Sequence, residues 1–244
     1  NVRAKKKFGW IHTNYSNSGM DMKLDYPYFK KLDGIVTVSD ECALTLKQTF
    51  QDFSSKIIVI NNIVSPNIIR RMSDDPVGVE HRFDEKLINI VTVARLSPEK
   101  GIDLAIEACR ILKEKGYKLR WYVLGDGIKK GELVKLINKF NLTKEFLLIG
   151  NKGNPYPYIK NASIYVQPSR YEGKSIAIDE AKILCKPIIV TNFSTAADQI
   201  RNEVNGLIVD TSPQAIASGI EKYIINNEIK NMVTRNLKKE EIGT

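Results

Sequence analysis

The sequence predicts an α/β protein built on a doubly wound parallel sheet, preceded by part of a second parallel sheet. Three observations carry that expectation. Short runs rich in β-branched residues alternate along the 244 residues with longer amphipathic stretches, as βαβ units require. The runs are apolar throughout rather than alternating with polar residues, as strands covered on both faces must be. Hydrophobic residues make up 43% of the chain against 27% charged, and a chain of this length buries such a core without disulfides or metals.

The runs that read as buried strands are Phe8 to Ile11, Gly34 to Val38, Ile57 to Ile60, Ile88 to Val93, Leu119 to Leu124, Phe146 to Ile149, Ser163 to Val166, Pro187 to Thr191 and Leu207 to Val209. Helices follow from spacing. Gly101 to Lys115 puts Ile102, Ala105, Ile106, Cys109 and Leu112 on one face, and Gly116 stops it. Leu133, Leu136, Ile137 and Phe140 make a second such face. Ile176 to Leu184 and Pro213 to Ile225 give two more, the last opened by Ser212 as a cap and Pro213 in the first turn. Residues 62–86 are turn-rich, with Ser65-Pro66 and Asp74-Asp75-Pro76, and show no sustained period. The expected organisation is the C-terminal part of an incomplete Rossmann-like domain over residues 1–65, a linker over 66–86, and a complete Rossmann-like domain over 87–244. The first residue is Asn1 rather than methionine, and the sequence reads as a piece of something longer.

Charge and the rarer residues remove several classes. Lys and Arg number 37 against 28 Asp and Glu, a net charge of +9. Such an excess attracts polyanions, phosphorylated small molecules or an anionic membrane surface, and equally serves solubility alone. The lysines are dispersed and not interleaved with aromatics, so no nucleic-acid partner is expected. Cys42, Cys109 and Cys185 stand far apart, which excludes a disulfide framework and a thiolate zinc site and fits a cytoplasmic location. His12 and His81 are too few for a histidine-built metal site, and His81 reads as a surface residue of the linker. No apolar run approaches the length of about 18 residues that spans a membrane, and no apolar signal core follows Lys5-Lys6-Lys7.

Two stretches carry chemistry. In Val93-Ala94-Arg95-Leu96-Ser97-Pro98-Glu99-Lys100-Gly101 a strand ends and a helix begins. Open parallel sheets bind ligands at the carboxyl ends of their strands, so Arg95 and Lys100 are placed to converge on a phosphate. Taken alone they read more readily as two solvated surface cations. In Ser169-Arg170-Tyr171-Glu172-Gly173-Lys174-Ser175-Ile176 a second strand leads into a helix. Gly173 allows close backbone approach, and the N–H groups of Lys174, Ser175 and Ile176 are expected to be free at the helix start. Glu180, further along that helix, suits the two hydroxyls of a ribose. Taken alone, Glu172 reads as helix-end electrostatics and Glu180 as an exposed salt-bridge partner.

In their order and spacing these residues resemble the family 4 (group 1) retaining glycosyltransferases of the GT-B fold. The resemblance rests on Ala94-Arg95-Leu96 with Glu99-Lys100-Gly101, and on Glu172 and Glu180, which match the family's Glu-x7-Glu pattern. Leu124-Gly125-Asp126-Gly127, Gly150-Asn151, Ala162 through Ser169, and Val204-Asn205-Gly206-Leu207 support it. The match runs over nearly the whole chain and reverses the plainer readings above. It implies that Arg95 and Lys100 bind a donor diphosphate, that Glu180 holds the ribose, and that Glu172 sits by the donor sugar. It implies that Gly173, Ser175 and Ile176 line the sugar or phosphate, that Gly125 and Asn151 lie near the nucleotide, and that His12 lines the sugar pocket. It further implies a nucleotide-diphosphate sugar as donor substrate, no metal or other cofactor, and a glycan or lipid-linked acceptor in surface polysaccharide synthesis. The location would be the cytoplasm, peripheral to the inner face of the membrane.

Two departures from the family pattern stand out. Lys174-Ser175 replaces the usual Phe-Gly, and Lys174 is expected to meet a hydroxyl or carboxylate of the donor sugar. Most of the family's amino-terminal, acceptor-binding domain is missing, so incomplete catalysis is expected. Two other classes stay open: a non-catalytic nucleotide-binding fragment, and a nicotinamide-dependent Rossmann oxidoreductase. The latter is disfavoured because no Gly-x-Gly-x-x-Gly follows an early strand.

Overall fold

The computed structural model describes residues 4–17, 19–78 and 83–240, and His81 lies outside them. Two parallel sheets organise the chain. The smaller holds β1 (Phe8–Ile11), β2 (Gly34–Thr37) and β3 (Ile57–Val59) in the order β1-β2-β3. The larger holds β4 (Ile88–Val93), β5 (Leu119–Leu124), β6 (Phe146–Leu148), β7 (Ile164–Gln167), β8 (Ile188–Thr191) and β9 (Leu207–Val209), in the order β6-β5-β4-β7-β8-β9. Each strand coincides, within a residue or two at its ends, with an apolar run read from the sequence.

Helices connect the strands: α1 (Met22–Phe29), α2 (Asp40–Thr49), α3 (Pro66–Met72), α4 (Ile102–Glu114), α5 (Lys130–Lys139), α6 (Tyr156–Asn161), α7 (Ile176–Ile183), α8 (Ala196–Gln199), α9 (Pro213–Ile225) and α10 (Asn227–Lys239). Helix α3 stands where the sequence showed no sustained period. At seven residues it spans about two turns, too short to display one, and it forms because Pro66 opens it and Ile69 is buried. Helix α10 is also new. It buries only Val233 and Leu237 among a polar majority, a stripe too thin to read from sequence.

The large sheet is covered on both faces, and strand alternation sorts side chains between two cores. On β5, Trp121 and Val123 pack with Ile90, Ile106, Val166 and Ile220. Tyr122 and Leu124 point the other way, to Val91, Ile159, Tyr165 and Ile178. The small sheet buries Ile11, Ile35 and Ile57 against Leu46, Phe50 and Phe53, while Phe8, Trp10 and Ile58 are exposed.

Strand order reverses between β4 and its neighbour β7, which creates a crevice at their carboxyl ends. Thr92, a polar residue in a buried strand, ties this point together. Its hydroxyl donates to the Val166 carbonyl at 2.6 Å and accepts from Trp121 Nε1 at 3.0 Å.

The loops above the crevice are locked to each other. Gly101 has φ 62°, and a Cβ there would lie 2.0 Å from the Pro168 carbonyl oxygen. The Arg170 N–H donates to the Glu99 carbonyl at 2.7 Å, and the Arg170 guanidinium grips Asp103 at 2.9 and 2.5 Å. Gly101→Ala is therefore expected to lower unfolding free energy by about 2 kcal/mol or more, from left-handed backbone strain plus the backbone clash. Urea denaturation checks this, and an unchanged midpoint would contradict it.

Candidate donor-binding site

The two stretches singled out in the sequence leave the adjacent strands β4 and β7 and meet over the crevice. Glu172 is 7% exposed at the end of the β7 loop. Lys100, from the β4 loop, donates to both of its carboxylate oxygens, at 2.8 Å to Oε1 and 2.7 Å to Oε2. Oε1 also accepts from Gln167 Nε2 at 2.9 Å and Ser169 Oγ at 2.7 Å. Sequence reasoning assigned no role to Gln167 and Ser169. The available signal was two polar residues at the end of a strand that is otherwise apolar. Arg95 is 79% exposed at its side chain and reaches Glu99 at 3.5 Å, so a cation stands at the mouth of the crevice.

Glu180 is half-buried in α7, where its Oε1 accepts from Tyr156 Oη at 3.0 Å. Tyr156, at the start of α6, had no signal in the sequence. Asn151 is exposed beyond β6. Gly125 donates its N–H to the Gly150 carbonyl at 2.9 Å. A Cβ on Gly125 would lie 1.9 Å from the Ala94 carbonyl oxygen, beside Arg95. The turns after β4, β5 and β6 thus pack into one rim.

The smaller sheet reaches the same loop from the other side. A Cβ on Gly173 would lie 2.0 Å from the His12 carbonyl oxygen. The Gly173 carbonyl accepts from Ser39 Oγ at 3.4 Å and Cys42 Sγ at 3.5 Å. His12 is exposed at the end of β1, its ring stacked on Trp10. Lys174 Nζ donates to Asn61 Oδ1 at 2.8 Å, so the amine spans the two halves of the chain. Ile176 is exposed at the start of α7. The Ser175 N–H, expected to be free, is not. It donates to Gln199 Oε1 at 2.9 Å, and the Gln199 amide donates in turn to the Ser175 carbonyl at 2.8 Å and to Asp179 at 2.9 Å. Gln199, at the end of α8, comes from another part of the chain, and no local pattern could announce it.

Residues 78–240 match the family described as glycosyl transferases group 1. The chain belongs to that family. It is 28% identical over 200 residues to an uncharacterized glycosyltransferase of Methanocaldococcus jannaschii, covering 78% of this chain and 49% of the relative. It is 23% identical over 237 residues to the poly(ribitol-phosphate) alpha-N-acetylglucosaminyltransferase of Staphylococcus aureus, covering 94% of this chain and 45% of the relative. The chain spans about half the length of these relatives. Among solved structures, Anabaena Alr3699/HepE in complex with UDP-glucose superposes with a TM-score of 0.80 at 16% identity, over 95% of this chain and 66% of that one. The chain thus has one complete Rossmann-like unit and part of a second, as in the GT-B fold.

Burial pushes the Glu180 carboxyl above its ordinary range, with the Tyr156 hydrogen bond acting against it. The neighbouring Asp179 is raised by burial too. A carboxyl whose folded pKa is raised makes the folded state bind the extra proton, so stability falls as pH rises through the carboxylate range. Glu180→Gln is expected to raise Tm at neutral pH, and the gain should vanish as pH drops below that range. Thermal melts across pH check this. A gain that persists in acid would contradict the burial argument.

Proposed function

We propose that this chain carries the donor-binding half of a retaining glycosyltransferase, which moves a sugar from a nucleotide-diphosphate donor to a glycan or lipid-linked glycan in surface polysaccharide synthesis. The supporting observation is the bidentate Lys100–Glu172 pair at the switch point of the sheet. An ammonium has three N–H donors, and Glu172 takes two, so Lys100 can serve the carboxylate and a phosphate oxygen together.

In this reading Arg95 and Lys100 stabilise the charge that develops on the departing diphosphate, usually the largest catalytic term. The bond from the sugar C1 to the phosphate oxygen breaks, and its electron pair goes to that oxygen. The acceptor hydroxyl bonds to C1 on the same face and gives its proton to the leaving phosphate oxygen. The step balances without a metal, because cationic side chains supply the positive charge. Glu180 accepts from the ribose hydroxyls, Glu172 faces the sugar, Gly125 and Asn151 border the nucleotide, and His12, Gly173 and Ile176 border the sugar. Lys174, held on Asn61 by one of its three N–H donors, keeps two with which to meet a hydroxyl or carboxylate of the donor sugar.

Calorimetric titration with UDP, UDP-glucose and other nucleoside diphosphates tests this proposal. Binding is expected, and Lys100→Ala should weaken it at least tenfold, about 1.4 kcal/mol. No binding by any of them would overturn the proposal. A second reading, nucleotide binding without turnover, is favoured by the chain spanning about half its relatives' length. Release of sugar from the donor by this chain alone would exclude it.

Among the described residues no helix is long and apolar enough to cross a membrane. The +9 charge supports a peripheral position at the cytoplasmic leaflet, where each well-placed Lys or Arg contributes about 1 kcal/mol. Co-sedimentation with anionic vesicles is expected at low salt and should be lost at high salt. Failure to sediment at low salt would count against it.

A further inference from the structure

Behind Glu172 lies a chain of polar side chains running back along β7. Tyr165, Gln167 and Ser169 are all within 1% of full burial. Tyr165 Oη donates to Gln167 Oε1 at 2.7 Å. Gln167 Nε2 spends one hydrogen on Ser169 Oγ and the other on Glu172 Oε1, both at 2.9 Å. Ser169 Oγ then donates to Glu172 Oε1 at 2.7 Å. From the phenol to the carboxylate every donor is used.

The backbone that carries this chain is fixed as well. Thr191 Oγ1, from β8, shares its single hydrogen between the Ser169 carbonyl and the Gln167 carbonyl, the latter at 3.3 Å. A buried polar network is costly unless every member is satisfied, and well-packed apolar residues would hold a strand end as firmly. Orientation is what the network adds. The Gln167 amide must turn its NH2 toward an ionised carboxylate, which leaves its oxygen buried on the other side, and the Tyr165 hydroxyl satisfies that oxygen.

The result is unequal treatment of the two carboxylate oxygens. Oε1 takes three donors, from Lys100, Gln167 and Ser169, whereas Oε2 takes Lys100. A carboxylate oxygen has about two lone-pair sites, so Oε2 keeps acceptor capacity.

We propose that Tyr165, Gln167 and Ser169 are positioning residues, which anchor Glu172 through Oε1 so that Oε2 can accept a hydroxyl of the donor sugar. The assignment of Oε2 rests on the donor-binding reading above.

The test uses the full chain with Tyr165→Phe, Gln167→Met and Ser169→Ala, each of which keeps side-chain shape closely while removing polar atoms. UDP and UDP-glucose are titrated into each. UDP affinity should stay within about twofold, while UDP-glucose affinity should fall at least tenfold for Gln167→Met and Ser169→Ala, and less for Tyr165→Phe. A fold-wide defect would weaken both ligands alike, and that result, or no loss for either ligand, would overturn the proposal. A ligand-free measurement accompanies it. The Gln167 side-chain amide protons should exchange slowly by NMR in the unaltered chain and faster in Tyr165→Phe. Fast exchange in the unaltered chain would also overturn the proposal. Absence of binding by every nucleoside diphosphate and nucleotide sugar titrated into the unaltered chain would remove the donor reading and the Oε2 assignment together, while slow exchange would still show the anchor through Oε1.

Discussion

A carboxylate taken out of water costs several kcal/mol unless charge and hydrogen bonds replace the solvent. Glu172 meets that demand with Lys100 from the β4 loop and with Gln167 and Ser169 from its own strand end. Because the cation comes from a different loop, the two loops must hold a fixed separation. The Arg170 contacts to Glu99 and Asp103, and the close approach of Gly101 to Pro168, maintain it. A buried ion pair is weak evidence for stability. This one stands at the switch point of a parallel sheet, at the carboxyl ends of β4 and β7, where open α/β sheets form their crevice.

The same loop is held from the opposite side by the smaller sheet. Gly173 presents its carbonyl to Ser39 and Cys42 and leaves no room for a Cβ against His12. Ser39 does two jobs, since its hydroxyl also caps α2 by accepting from the Cys42 N–H at 3.2 Å. Asn14, 2% exposed, adds a bond to Ser194 at 3.2 Å, and Thr195 Oγ1 donates to the Glu172 carbonyl at 3.1 Å. Movement of one half against the other would therefore be felt at the backbone of Glu172 and Gly173. Lys174, the departure from the family pattern, joins this set through Asn61.

Legibility followed the range of each interaction. Strands were visible because both faces of the sheet are covered, which forces continuous apolar runs such as Ile88–Val93 and Leu119–Leu124. Helix α4 was visible because Ile102, Ala105, Ile106, Cys109 and Leu112 repeat along it and are all buried. Helix α3 was not, being too short for a period. Within the site, Arg95, Lys100, Glu172 and Glu180 were legible through the spacing of a family pattern. Tyr156, Gln199 and Asn61 were not, because their partners Glu180, Ser175 and Lys174 lie far away in sequence.

By itself the sequence determined the alternation of strands and helices, the family, and which ionisable groups stand at the strand ends. Those are local properties, since burial pattern and turn chemistry act over a few residues. The tertiary structure decided how the groups are spent. It gave the Ser175 N–H to Gln199 rather than to a ligand, and the Lys174 amine to Asn61. It left Glu172 with one saturated oxygen and one with capacity to spare. A donor can satisfy only the acceptor that folding brings within about 3 Å of it, and that pairing is set by the packing of distant segments.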